Sequence, residues 1–121
     1  MRIDAPTRSR DTTTPDAMAG LLQRVLLGDA LSPASRARLD GLMRATQTSG
    51  KRLRQGLPEG WALADKTGSG ERGTSNDVGV YYPSGGRSPI VVSVYLTGGT
   101  APADARDAAI ARIAAEVIAG A

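Results

Sequence analysis

The ten residues Ala64-Asp65-Lys66-Thr67-Gly68-Ser69-Gly70-Glu71-Arg72-Gly73 bring together the side chains best suited to chemistry. Lys66 is one of only two lysines, against thirteen arginines, and it closes a short apolar segment. Trp61, Leu63, Asp65 and Thr67 read as an extended strand with one face turned inward. The glycines at 68, 70 and 73 let a ligand or a second backbone come close. A lysine, a hydroxyl and exposed backbone N–H groups on one strand edge make a compact receptor for a carboxylate and a developing oxyanion. The plainer alternative is a hairpin turn with a lysine on its surface.

The same run fits G-x-G-x-x-G through Gly68, Gly70 and Gly73. A dinucleotide site would require a helix next and an acidic residue about twenty positions on. Instead Val78, Val80 and Tyr82 alternate as in a strand, and the region around Ser93 has no acid. The segment reads as a hairpin.

A length of 121 residues allows one domain with a modest core. Hydrophobic residues make up 40% of the chain, but Phe is absent and large side chains are scarce. Without cysteine there is no disulfide framework and no thiolate site, and without histidine the commonest general base and metal ligand is missing. No metal or cofactor is expected. A net charge of +3 is spread among acids, which argues against a nucleic-acid partner, as does the lack of exposed aromatics near Arg52 and Arg54. No run is long enough to span a membrane and no signal-peptide core is present, so the chain as written is expected to stay cytoplasmic.

Residues 1–13 lack periodicity and read as a cut loop. Thr14-Pro15 is a helix start, followed by Met18, Leu21, Leu22, Val25 and Leu26 at helical spacing, with Gly28 placed to close the helix. Ser32-Pro33 starts a second helix with Leu39, Leu42 and Met43 as its buried stripe. The connection 46–60 is basic, with Lys51, Arg52 and Arg54, and leads through Leu57-Pro58-Glu59-Gly60-Trp61 into the strand of Lys66. Pro83 to Arg87 is a turn, and the nearly continuous apolar run Ile90 to Leu96 reads as a strand buried on both faces. Pro102-Ala103-Asp104 opens a last helix with Ile110, Ile113, Ala114, Val117 and Ile118 on one face. The whole predicts an α+β fold: two helices, a three-stranded antiparallel meander, and a helix covering one face of the sheet. The other face is left for the early helices or for something absent.

Three motifs carry a resemblance: Arg10-Asp11-Thr12-Thr13-Thr14-Pro15, Leu57-Pro58-Glu59-Gly60-Trp61, and Lys66-Thr67-Gly68-Ser69-Gly70-Glu71-Arg72-Gly73. Together they resemble the C-terminal part of a class A β-lactamase, whose K-T-G box is shared with penicillin-binding proteins. The resemblance covers nearly the whole chain but less than half of a complete enzyme. It implies an α/β sandwich of the β-lactamase/transpeptidase kind. Residues 1–13 would be a remnant of the omega loop, and 14–121 the C-terminal part of the domain. It also implies hydrolysis of a β-lactam amide through an acyl-serine intermediate. Lys66 would place positive charge beside the nucleophile and the substrate carboxylate, Thr67 would hydrogen-bond that carboxylate, and Gly68 would let it approach. The backbone N–H of Ser69 would be an oxyanion-hole donor. Where many members carry an arginine on the second strand, this chain has Ser75; Arg52 stands where others supply the guanidinium from the preceding loop, with Asp107 near it. Asp11 resembles the acid that closes the omega loop.

The departures are as informative. The residues three before Lys51 and Lys66 are Thr48 and Leu63, so no Ser-x-x-Lys exists, and there is no Ser-Asp-Asn. The family's general-base glutamate would fall before Met1, and Arg2 stands about where an Asn is expected. The reading is a truncated β-lactamase-like chain, inactive alone. Its partners would be a β-lactam in the intact enzyme and a complementary N-terminal fragment, with neither nucleic acid nor membrane. The family acts in the periplasm or is secreted. A non-enzymatic module that binds a carboxylate ligand or a protein through the Lys66 strand is the rival.

Overall fold

The computed structural model describes residues 12–121. Asp11, Arg2 and most of the expected loop remnant lie outside the described residues.

Helix α1, Pro15–Leu22, begins as its spelling predicts: the Thr14 hydroxyl accepts the Ala17 N–H at 3.1 Å, and Pro15 takes the first helical position. The chain then widens into a π-helical turn over Gln23–Leu27. Gly28 ends it in extended rather than left-handed backbone; a Cβ there would lie 2.9 Å from the Arg24 carbonyl oxygen. Helix α2, Pro33–Arg44, is capped by Ser32, whose hydroxyl accepts the Ser35 N–H at 3.2 Å.

Strands β1 (Ala62–Gly70), β2 (Thr74–Tyr82) and β3 (Ile90–Leu96) form the antiparallel meander in that order. The first hairpin is longer than the sequence suggests. Gly68, Ser69 and Gly70 pair with Asn76, Ser75 and Thr74, so the turn closes over Glu71, Arg72 and Gly73. Arg72 and Gly73 take left-handed backbone at φ 62° and 68°, a conformation that glycine adopts without a Cβ clash.

Helix α3, Ala103–Gly120, covers one face of the sheet. Its Ile110 and Ala114 pack with Leu63, Tyr81, Val92 and Val94, and with Leu53 from the connecting segment. The opposite face is covered by Leu22, Leu26 and Met43 of the early helical segments, packed on Ala64, Val78 and Val80. Strand alternation accounts for this division, since neighbouring residues of one strand serve opposite cores.

Four expectations need correction. Leu21 and Leu42 are 42% and 68% exposed, because only the Leu22 and Met43 lines of their helices reach the sheet. Ile113 is 38% exposed for the same reason, and Ala111 rather than Ile113 joins Ile110 and Ala114 among the buried positions of α3. β3 is an edge strand in which only Val92 and Val94 are buried; the strand enclosed on both faces is β2, which has neighbours on both sides.

Gly79 of β2 faces Asp65 across the ladder. A Cβ there would come within 2.4 Å of the Ala64 carbonyl oxygen and 2.7 Å of Asp65 Cβ. Backbone cannot yield as a flexible side chain does, so Gly79→Ala is expected to destabilise the fold by about 1–3 kcal/mol. The urea unfolding midpoint measures this, and an unchanged midpoint would show that the strands separate freely at this point.

Candidate functional site

The side chains singled out by type converge at the end of β1, and Arg52 is what joins them. Arg52 is only 8% exposed, an unusual burial for a guanidinium and one that demands partners. Each nitrogen has at least one. Nε donates to Asp107 Oδ1 of α3 at 2.7 Å, Nη1 to the carbonyls of Gly68 at 3.0 Å and Asn76 at 2.9 Å, and Nη2 to Ser69 Oγ at 2.8 Å. One planar fork thus ties the connecting segment to β1, β2 and α3.

The segment that presents Arg52 is fastened along the outer edge of β1. Thr46 Oγ1 donates to the Asp65 carbonyl at 2.5 Å, and Arg54 Nη2 donates to the Leu63 carbonyl at 3.1 Å and to Asp65 Oδ1 at 2.6 Å. Thr48 and Thr67 share a hydrogen bond between their hydroxyls at 2.5 Å. The Leu53 N–H donates to Asp77 Oδ2 at 3.1 Å, and Tyr81 Oη donates to the Leu53 carbonyl at 2.5 Å.

These bonds also reveal the direction of the β1 backbone. The carbonyls of Leu63 and Asp65 accept from the connecting segment, and that of Thr67 accepts from Lys66 Nζ, so odd-numbered positions turn away from β2. In an antiparallel strand a residue's N–H and C=O share one edge. Alternation therefore aims the N–H of Ser69 at the same outer edge, where a ligand can reach it. The side chains divide differently. Thr67 and Ser69 share the Arg52 face, whereas Lys66 lies on the opposite face, across from Val78, and is exposed. Lys66 and Thr67 thus reach one edge from two sides of the sheet.

Gly68 lies opposite Asn76, whose amide occupies the space a side chain would need: a Cβ at 68 would be 2.4 Å from Asn76 Oδ1. Ser75 is fully buried, and its Oγ accepts from Arg106 Nε of α3 at 2.8 Å. A second guanidinium therefore stands behind Ser75 on β2. Arg106, Thr48, Asn76 and Asp77 are contributors that sequence reasoning missed. Only Asp77 left a signal there, as an acid in an alternating strand.

The site is rich in cations but built over buried acid. Asp65 and Asp77 are both fully buried. Burial, then the hydrogen bond and charge of Asp65, push the Asp77 carboxyl up to about 8. Burial also raises Tyr81 above the usual phenol range, with the charges of Asp77 and Asp65 adding to it. Among the described residues no three His, Cys, Asp or Glu side chains converge to hold a metal ion. The arrangement can hold a carboxylate and donate to an oxyanion, yet no serine here has a lysine three residues on.

The profile of the β-lactamase enzyme family matches residues 1–120. The β-lactamase of Streptomyces albus G is 48% identical over 114 residues, covering 94% of this chain and 36% of that protein. β-Lactamase AER-1 of Aeromonas hydrophila is 46% identical over 108 residues, covering 89% of this chain and 35% of its own. An ancestral class A β-lactamase (GNCA) of known structure superposes with a TM-score of 0.89 at 55% identity, over 97% of this chain and 45% of that one. The putative class A β-lactamase PenP of Rhodopseudomonas palustris gives 0.88 at 49%, over 96% and 44%. The chain therefore spans little more than a third of the length of these curated relatives, and within that span it belongs to the β-lactamase enzyme family, alongside the class A enzymes.

Proposed function

We propose that this chain supplies the carboxylate-binding and oxyanion-binding wall of a class A β-lactamase, and that the reacting serine and its bases belong to a complementary segment. The observation that carries the reading is the locked guanidinium of Arg52 beside the Lys66-Thr67-Gly68-Ser69 edge of β1. In the completed site Lys66 and Thr67 approach the substrate carboxylate from the two faces of β1. Arg52 holds Gly68 and Ser69 in register and adds positive potential behind them. The Ser69 N–H stabilises the tetrahedral oxyanion, a contribution of roughly 3 kcal/mol for one such donor.

The chain alone is expected neither to turn over a β-lactam nor to form an acyl adduct. A serine nucleophile needs a neighbouring base, and no serine here has lysine at the required spacing or any histidine to help it. Incubation with a fluorescent penicillin followed by intact-mass measurement tests this. A covalent mass increase on any serine would overturn the reading and favour a self-sufficient enzyme.

In the completed enzyme, Arg52→Ala should raise KM and lower kcat/KM by about 10- to 100-fold, the range of a lost charge-assisted hydrogen bond of ~1.5–3 kcal/mol. Arg52→Lys should recover little, since an ammonium cannot reproduce the planar fork that reaches four partners. Steady-state kinetics on a penicillin decide it, and wild-type values in Arg52→Ala would reduce that residue to a structural tie.

A further inference from the structure

Asp65 and Asp77 are both fully buried, yet one oxygen of each has no donor. Asp65 uses Oδ1 for Arg54 and Asp77 uses Oδ2 for the Leu53 N–H, while Asp65 Oδ2 and Asp77 Oδ1 are left over. The two side chains lie on the same face of the β1–β2 ladder. Asp77 pairs with Thr67, and Asp65 is two residues along from Thr67 on β1, which makes the acids diagonal neighbours. Gly79, directly opposite Asp65, leaves the room that the Asp65 side chain occupies. Two ionised carboxylates so placed would bury two unsatisfied acceptors against each other, which is costly in a dry interior. One proton turns that conflict into a hydrogen bond between them.

We propose that Asp65 and Asp77 share a single proton, and that the bridged pair is a positioning device that holds the Arg52–Arg54 segment against the Thr67-Ser69 edge. The shared proton stands independently of the functional reading above; its consequence for ligand recognition rests on that reading. The connecting segment is tied to both members of the pair, through Arg54 to Asp65 and through the Leu53 N–H to Asp77. Leu53, whose N–H is held by Asp77, sits between the two arginines, and Thr67 is the ladder partner of Asp77. The charged and titratable groups facing the pair are Arg52 and Arg54 from the connecting segment, Tyr81 from β2, and Asp107 of α3 through its bond to Arg52. Losing the proton leaves like charges in contact beneath Arg52 and loosens the segment that carries it.

The sign of the pH dependence follows from Asp77. Its carboxyl is raised to about 8 in the folded chain, chiefly by burial, against about 3.9 when unfolded. The folded state therefore holds a proton that the unfolded state has released. Its stabilising contribution is complete below about pH 4 and is lost as pH rises through about 8. The chain contains no histidine and no cysteine. Between roughly pH 5.5 and 7 no unperturbed side chain titrates, so a slope there belongs to the pair.

The test is urea unfolding of the chain across that range, with infrared spectra of the carboxylic-acid carbonyl stretch in D2O, for wild type and Asp77→Asn. The asparagine keeps an acceptor for Leu53 and a donor for Asp65 but cannot titrate. Expected are a protonated-carboxyl band at pH 7 and a folding constant that falls about tenfold per pH unit in wild type, both absent in Asp77→Asn. No band at pH 7, or the same slope in both, overturns the shared proton. Where the chain alone shows no cooperative transition, the chain joined to the complementary part of the Streptomyces albus G enzyme serves, and the wild-type minus variant difference is read. In that completed enzyme KM for a penicillin should rise above about pH 8 in wild type but stay level in Asp77→Asn, with kcat following the same course in both. A band and slope without the KM difference overturn the positioning role alone. Absence of hydrolysis at every pH, with the band present, overturns the functional reading and leaves the proton in place.

Discussion

Lys66→Ala, in the chain completed by a segment carrying the reacting serine, is expected to lower kcat/KM for a penicillin by about 10²–10³-fold, the scale of losing one preorganised group that meets developing charge. The geometry explains why no neighbour can replace it. Lys66 lies on the face of Val78 at the end of β1, while Arg52 acts from the other face through Ser69 and Gly68. Lys66→Arg retains the charge but exchanges a compact ammonium for a broad fork, and should still lose more activity than Thr67→Ser, which keeps the hydroxyl. Steady-state kinetics rank the three variants. If Thr67→Ser proves more damaging than Lys66→Arg, the lysine is a surface charge and the receptor is the hydroxyl face alone.

Asp65→Ala should cost about 3–5 kcal/mol of stability, the range for removing one partner of a buried ion pair. Asp65 is fully buried, and its Oδ1 accepts from Arg54 Nη2 at 2.6 Å. Truncation strands that guanidinium, removes the neighbour with which Asp77 shares its environment, and opens a gap beside Gly79. Asp65→Asn keeps an acceptor for Arg54 and should recover a good part of the loss. Urea midpoints for the two variants give the comparison, and equal, small losses would mean that Arg54 finds water as readily as it found Asp65.

The division of the fold was largely legible from the chain. Thr14-Pro15 and Ser32-Pro33 marked helix starts because a capping hydroxyl and a proline act locally. The stripe through Ile110 and Ala114 and the alternation of Val78 and Val80 assigned faces correctly, since periodicity reflects burial. The environment of β3 was not legible. An apolar run such as Ile90 to Leu96 looks the same in the middle of a sheet and at its edge, and only strand order separates the two. Leu42 was misplaced for a related reason: a helix exposes apolar residues at the margin of its contact line, and sequence does not fix how wide that line is.

At the site, Lys66, Thr67 and Ser69 were visible because they are contiguous, and Arg52 and Asp107 because the resemblance pointed to them. The partners that hold them were hidden by distance along the chain. Thr48 meets Thr67 from nineteen residues away and Arg106 meets Ser75 from thirty-one. Asp77 looked like an ordinary polar position in a strand. Its meaning appears only when the register sets it diagonal to Asp65 beneath Leu53.

The central claim, that this chain is one wall of a β-lactam-hydrolysing site, is tested most directly by co-expressing it with the part of the Streptomyces albus G β-lactamase that it does not match. Hydrolysis of a chromogenic cephalosporin is then followed in the purified complex. Turnover is expected to require both pieces and to fall steeply with Lys66→Ala in this chain. A well-formed complex that stays inactive, or activity indifferent to Lys66, would contradict it.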